Sequence, residues 1–138
     1  MSAAANNGPA VGERIVHKSF PPITRHTLAL YCGASGDHNP IHVDSDFAKA
    51  AGFPDVFSHG MLVMAYLGQA LTDAIAPERI RVFATRFAAI TQLGARLTCE
   101  GHVTELIEDQ GEKRAKVALT TKDETGEIKL AGEAIIAL

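Results

Sequence analysis

Apolar residues follow two rhythms along this chain, one helical and one alternating. In "TRHTLALYCGAS" (24–35) they recur at helical spacing behind Thr24, a residue suited to the N-cap, and Gly36 ends the run. A short helix, "DFAKAAG" (46–52), is capped by Asp44 or Ser45 and stops at Gly52. The segment "GMLVMAYLGQALTDAIA" (60–76) is apolar on nearly every face, as a helix enclosed by other structure must be, and Pro77 closes it. Ahead of all three, "RIVHKSF" (14–20) alternates as a short strand that Pro21 and Pro22 break. From Arg79 onward the period changes to two. "RIRVFATRFAAI", "LTCEGHVTELIE", "RAKVALTTKD" and "IKLAGEAIIAL" read as strands divided by "QLGA", "DQGE" and "ETG". Short connections predict a consecutive antiparallel meander. An enclosed helix followed by four long strands predicts an α+β domain whose sheet curls around that helix. This domain spans residues 11–138, after a small, polar, flexible start at residues 1–10, "MSAAANNGPA".

Composition narrows the possibilities. A length of 138 residues with 46% hydrophobic content suits one compact domain. The net charge of −3 gives no general pull toward nucleic acid or an anionic membrane surface, so an anionic ligand must be met by a few local Lys or Arg residues. Segment 60–76 carries Gln69 and Asp73 and is too short for a bilayer span, so a membrane role is not expected and a cytoplasmic location is. Cys32 and Cys99 show no metal-ligand spacing and no secretory leader ahead of them; both are expected to be reduced, buried and small-hydrophobe-like.

Chemistry concentrates in "SGDHNPIH" (35–42), held between two helix ends. Asp and His are the side chains that most easily divide base and acid work near neutral pH. A bend pinned by Pro40 can bring Asp37 and His42 to opposite sides of a water molecule. The residues alone equally allow Asp37 and Asn39 to be turn and capping residues, with His42 a satisfied or surface histidine. Downstream, "FSHGML" (57–62) sets Ser58 at an N-cap position and Gly60 in the first turn of the enclosed helix. Amides there lack partners within the helix, and Gly60 has no side chain to keep a substrate carbonyl away. Gly60 alternatively serves only close packing of helix on sheet.

The stretch "YCGASGDHNPIHVDSDFAKAAGFPDVFSHGML" (31–62) closely resembles the signature of the MaoC-like, or (R)-specific enoyl-CoA hydratase, family of hotdog-fold proteins. Its Ser-Gly-Asp-x-Asn-Pro-Ile-His-x-Asp core is matched in full, as is the His-Gly-Met that opens the central helix. The likeness extends more loosely through "RFAAITQLGARLTCEGHV" to the C-terminus. It implies a single hotdog, a long central helix wrapped by a curved antiparallel sheet. It also implies a catalytic pair, Asp37 and His42, that holds a water and moves its protons, with the Gly60 amide donating to the thioester carbonyl. Asn39, Ser58 and His59 become supporting residues, His59 holding the helix entry rather than transferring protons, and His38 a loop side chain. The family adds water across the trans-2 double bond of an acyl thioester to give the (R)-3-hydroxyacyl product, or runs the reverse, with neither metal nor redox cofactor. Asp37 is assigned as base on water and His42 as acid toward C2, although a coupled pair shares its protons.

The resemblance further implies acyl-CoA, or an acyl carrier protein thioester, as partner, and a homodimer that covers the sheet edge and the open face. Non-catalytic acyl-CoA binding and acyl thioester hydrolysis remain the competing functions on this fold. Gly68 and Leu71 are candidate acyl-pocket residues, because they continue the face of the central helix that Gly60 begins. Departures from the family pattern lie in the sheet: Gly94-Ala95 stands where many relatives carry Gly-Asp, and a proline usual shortly before is missing.

Overall fold

A computed structural model describes residues 8–138, so most of the flexible start expected at residues 1–10 lies outside the described residues. The elements run β1 (Arg14–Ser19), α1 (Arg25–Ser35), a 3₁₀ turn (Pro40–His42), α2 (Ser45–Ala50), α3 (Gly60–Ala74), a second 3₁₀ turn (Pro77–Arg79), β2 (Ile80–Phe87), β3 (Thr98–Asp109), β4 (Glu112–Lys122) and β5 (Ile128–Ala137). Local signals account for their ends. The side chain of Thr24 accepts from the Thr27 amide at the start of α1, and Gly36 ends it in the left-handed region at φ 76°, its amide donating to the Cys32 carbonyl. Asp44 caps α2 by accepting from the amides of Asp46 and Phe47.

The five strands form one antiparallel sheet in the order β1-β3-β4-β5-β2. The expected four-strand meander therefore holds only for β3, β4 and β5. β3 and β4 join through Gln110 and Gly111, at φ 51° and 77°, the doubly positive pair a tight hairpin needs. β2 instead pairs with β5 on the far side of β4, so residues 88–97 cannot be a hairpin and must travel from one side of the sheet to the other. Tertiary bonds hold this connection along its way: Thr91 O accepts from Ser58 N–H at 2.9 Å and Ile23 O accepts from Gly94 N–H at 2.8 Å.

Helix α3 contacts all five strands. Strands about 4.8 Å apart make a flat five-strand sheet roughly 19 Å wide, against a helix roughly 10 Å across, so the sheet must curl to keep every strand in reach. Leu62, Val63, Leu67, Ala70 and Leu71 point into the resulting core, which also holds Val117, Leu119 and Ile136. Leu67 and Leu71 are at most 1% exposed, and burying each contributes roughly 1.5–3 kcal/mol. The enclosure expected from the helix's all-round apolarity is incomplete in a single chain. Met61, Ala65, Gln69 and Thr72 form a solvent-exposed stripe, Met61 at 56%. No helix among the described residues is long and apolar enough to cross a membrane.

Candidate active site

Short polar side chains lock the loop between α1 and α2. Ser35 Oγ donates to the Tyr31 carbonyl at 2.6 Å and accepts from Asp37 N–H at 3.1 Å. Asp37 Oδ1 accepts from Asn39 N–H at 3.2 Å, and Asn39 Oδ1 from Ile41 N–H at 3.1 Å, while Pro40 opens the 3₁₀ turn. Oδ1 of Asp37 thus builds the turn, while Oδ2 is left facing His42 Nε2 at 3.9 Å. Asn39 is the N-cap of the 3₁₀ turn, and His38 is exposed. A clamp outside the loop ties its flanks: the guanidinium of Arg25 contacts both oxygens of Asp55 and the hydroxyl of Ser45. Arg25, together with the Val56 amide, holds the Asp55 carboxyl well below the usual carboxylate range.

His42 is buried, whereas Asp37 is half exposed. Nδ1–H of His42 donates to the Phe57 carbonyl at 2.8 Å. Because a carbonyl can only accept, this bond fixes the tautomer and leaves Nε2 turned toward Asp37. At 3.9 Å the two groups are too far apart for a direct hydrogen bond. A water about 2.8 Å from each would subtend roughly 90° at its oxygen, close enough to its own bond angle for one proton to point at each acceptor. The same gap exceeds the roughly 3.4 Å between two ligands of a tetrahedral zinc ion, although Asp37, His42 and His59 bring their donor atoms within 4.8 Å of one another. As arranged, the cluster suits a water.

His59 lies beneath this pair. Its ring stacks on His42 with centroids 3.8 Å apart, and the edge of Tyr31 meets it at 4.6 Å. Nε2 reaches the Asp37 carbonyl at 3.3 Å and Cys32 Sγ at 3.4 Å, while Nδ1 has no partner among the described residues. Burial, and then the neighbouring His42, push its pKa below the ordinary histidine value.

Ser58 is not the N-cap of α3; His59 holds that position, and no side chain caps the helix. The Ser58 hydroxyl donates to the carbonyl of the next residue, His59, at 3.0 Å and makes no bond to the helix amides. The consequence is chemical. Among the described residues, no side-chain oxygen competes with a ligand for the Gly60 amide at the positive end of α3.

A cavity of about 320 Å³ opens beside that amide, lined by Phe57, Ser58, Gly60, Phe87, Leu130 and the 88–91 segment. Asp37 and His42 do not line it, but Phe57 joins the two regions, its residue in the wall and its carbonyl on His42. Gly68 and Leu71 do not line it either: Gly68 packs against the ring of Phe83, and Leu71 is in the core. Sequence reasoning missed Phe57, whose working atom is a backbone carbonyl with no residue signature. It also missed the contact of Cys32 with His59, which helical spacing marks only as a core position.

A profile of the family described as "MaoC like domain" matches residues 6–127. The (R)-specific enoyl-CoA hydratase of Rhodospirillum rubrum is 31% identical over 116 residues, covering 83% of this chain and 78% of that protein. Among solved structures, an (R)-hydratase from A. caviae involved in PHA biosynthesis superposes with a TM-score of 0.82 at 25% identity, over 96% of this chain and 98% of that one. An unliganded R-hydratase from Pseudomonas aeruginosa gives 0.79 at 29% identity, over 93% of this chain and 81% of that one. The chain spans only 4%, 26% and 13% of the length of three longer curated relatives it also matches. The fold is accordingly α+β and of the hotdog type.

Proposed function

The chain belongs to the MaoC-like domain family, and from that premise we propose that it reversibly hydrates trans-2-enoyl thioesters, as enoyl-CoA, to (R)-3-hydroxyacyl thioesters. One observation carries the reading: the His42 tautomer set by Phe57, which faces Nε2 toward the Asp37 carboxylate across a water-sized gap. The thioester carbonyl accepts from the Gly60 amide, which draws electron density from C3 and stabilises the enolate that develops as water adds. The acyl chain enters the apolar cavity beside Gly60, whose volume lies at the lower end of the usual range for ligand sites. Asp37 takes one proton from water as its oxygen bonds to C3. That proton crosses the gap to the unprotonated Nε2 of His42, which delivers it to C2 while Nδ1–H keeps its bond to Phe57, so the sum is one water added and no net change in the protein.

The protein acts as a homodimer in this reading. β2 is paired on one side only, and the Met61 stripe with the exposed Val82 and Phe87 leaves apolar surface uncovered in one chain. Loss of the enoyl absorbance of crotonyl-CoA and its C6 and C8 homologues tests the activity. Chiral analysis of the 3-hydroxyacyl product tests its hand. Tight binding without turnover supports an acyl-CoA-binding role instead, and release of free thiol supports a thioesterase. Sedimentation as a stable monomer at micromolar concentration removes the dimer.

A further inference from the structure

Lys129, on β5, is the one cationic side chain fully buried among the described residues, and it has no part in the chemistry above. Enclosing an ammonium is costly unless each of its N–H groups is satisfied, and an apolar residue of similar volume is often no worse for stability. Here the three N–H groups meet acceptors from two separate segments. Nζ donates to the Ile90 carbonyl at 2.8 Å, makes a short contact with Glu127 Oε1, and lies 3.4 Å from Asp123 Oδ2. Asp123 is anchored in turn, its Oδ1 accepting from the amides of Thr125 and Glu127 at 2.9 and 3.0 Å. The ammonium therefore ties a rigid turn after β4 to the cavity wall.

From Ile90 the connection continues residue by residue. The next carbonyl, of Thr91, accepts from Ser58 N–H at 2.9 Å, and Gln92 bridges to Phe57. The Phe57 carbonyl in turn holds Nδ1–H of His42. We infer that Lys129 is a positioning residue, which sets the 88–91 wall of the cavity and, through residues 57 and 58, the orientation of the His42 imidazole. Only the kinetic consequence rests on the hydratase reading; the geometry stands apart from it.

Lys129→Met keeps the stem and removes the ammonium. Hydrogen exchange should then be about tenfold faster at the Ser58 amide and unchanged at Val117 and Leu119 in the core. Nitrogen NMR of His42 should pass from a single Nδ1–H tautomer to a mixture. For crotonyl-CoA, kcat should fall about tenfold and KM should rise. Wild-type exchange at Ser58 with a wild-type tautomer at His42 overturns the inference. So does an equal loss of protection at Ser58, Val117 and Leu119, which marks a merely structural lysine. If Lys129→Met does not fold, Glu127→Gln on an exposed side chain carries the test, with shifts of about threefold in the same directions expected and unchanged values overturning the inference. A wild type inactive on enoyl-CoA removes the hydratase reading while the exchange and tautomer measurements still decide the role of Lys129.

Discussion

His42 and His59 stack face to face, their ring centroids 3.8 Å apart and their planes 26° from parallel. The two rings are not equivalent. Nδ1 of His42 is bonded to a carbonyl, and its Nε2 faces the half-exposed Asp37, whereas His59 is 1% exposed and its Nδ1 has no partner among the described residues. In the proposed reaction only His42 exchanges protons with the substrate. A neutral His59 serves as the floor on which the other ring rests, and protonating it would set a cation against His42.

This arrangement predicts a pH effect on stability. The folded pKa of His59 is depressed, so below the ordinary value of about 6.5 the unfolded chain binds a proton that the folded chain refuses. Its contribution is therefore fully present above pH 6.5 or so and is lost as the pH falls below it. Urea midpoints at pH 7.5 and 5.5 measure this. His59→Phe keeps a stacked ring without the titration and should lose less between those two values than wild type; an equal loss rejects the assignment.

Removing either member of the proton-moving pair should abolish most turnover. Asp37→Asn keeps the turn oxygen that accepts from Asn39 and should still fold, yet lose at least about a hundredfold in kcat on crotonyl-CoA. His42→Ala should lose a similar factor. Because the two act on one water, the double variant should be little worse than either single one, and multiplicative losses would show independent roles.

Approach to the Gly60 amide is limited by Phe87. A methyl group at Gly60 would stand 3.1 Å from two atoms of that ring, tight enough to displace the ring and to cover the amide. Gly60→Ala should lower kcat/KM by about tenfold or more while thermal denaturation shifts little. If activity survives unchanged, the carbonyl is held elsewhere.

Gly132 matters to the fold rather than to the chemistry. A Cβ there would lie 2.1 Å from the carbonyl oxygen of Ala84, in the pairing of β5 with the edge strand β2. Relief requires β2 to move away, so Gly132→Ala should cost roughly 2 kcal/mol or more and lower Tm by several degrees. Size-exclusion chromatography should also show weakened self-association if the dimer uses the β2 edge.

Much of this was legible along the chain. Thr24, Gly36 and Asp44 mark helix ends because capping and left-handed geometry involve residues at most four positions apart. Alternation marks all five strands, and the loop motif singles out Asp37, Asn39 and His42. Pairing of β2 was misjudged because adjacency in sequence favours a hairpin, while the order of strands depends on how the sheet closes over α3. Ser58 was misplaced by one position: the helix cap is His59, and the Ser58 hydroxyl donates to the carbonyl of that next residue instead of accepting from a helix amide.

By itself, then, the sequence determined the elements, their caps and the family-specific loop, all of them products of contacts within a few residues. Tertiary structure alone decided the rest. The carbonyl that sets the His42 tautomer lies 15 residues away, the one that takes the Lys129 ammonium lies 39 away, and β2 pairs with β5, so that β4 and β5 separate it from β3, the strand that follows it in sequence. Backbone carbonyls have the same chemistry at every position, so no residue type announces which of them a buried imidazole or ammonium will find; only the closing of the sheet around α3 brings them together.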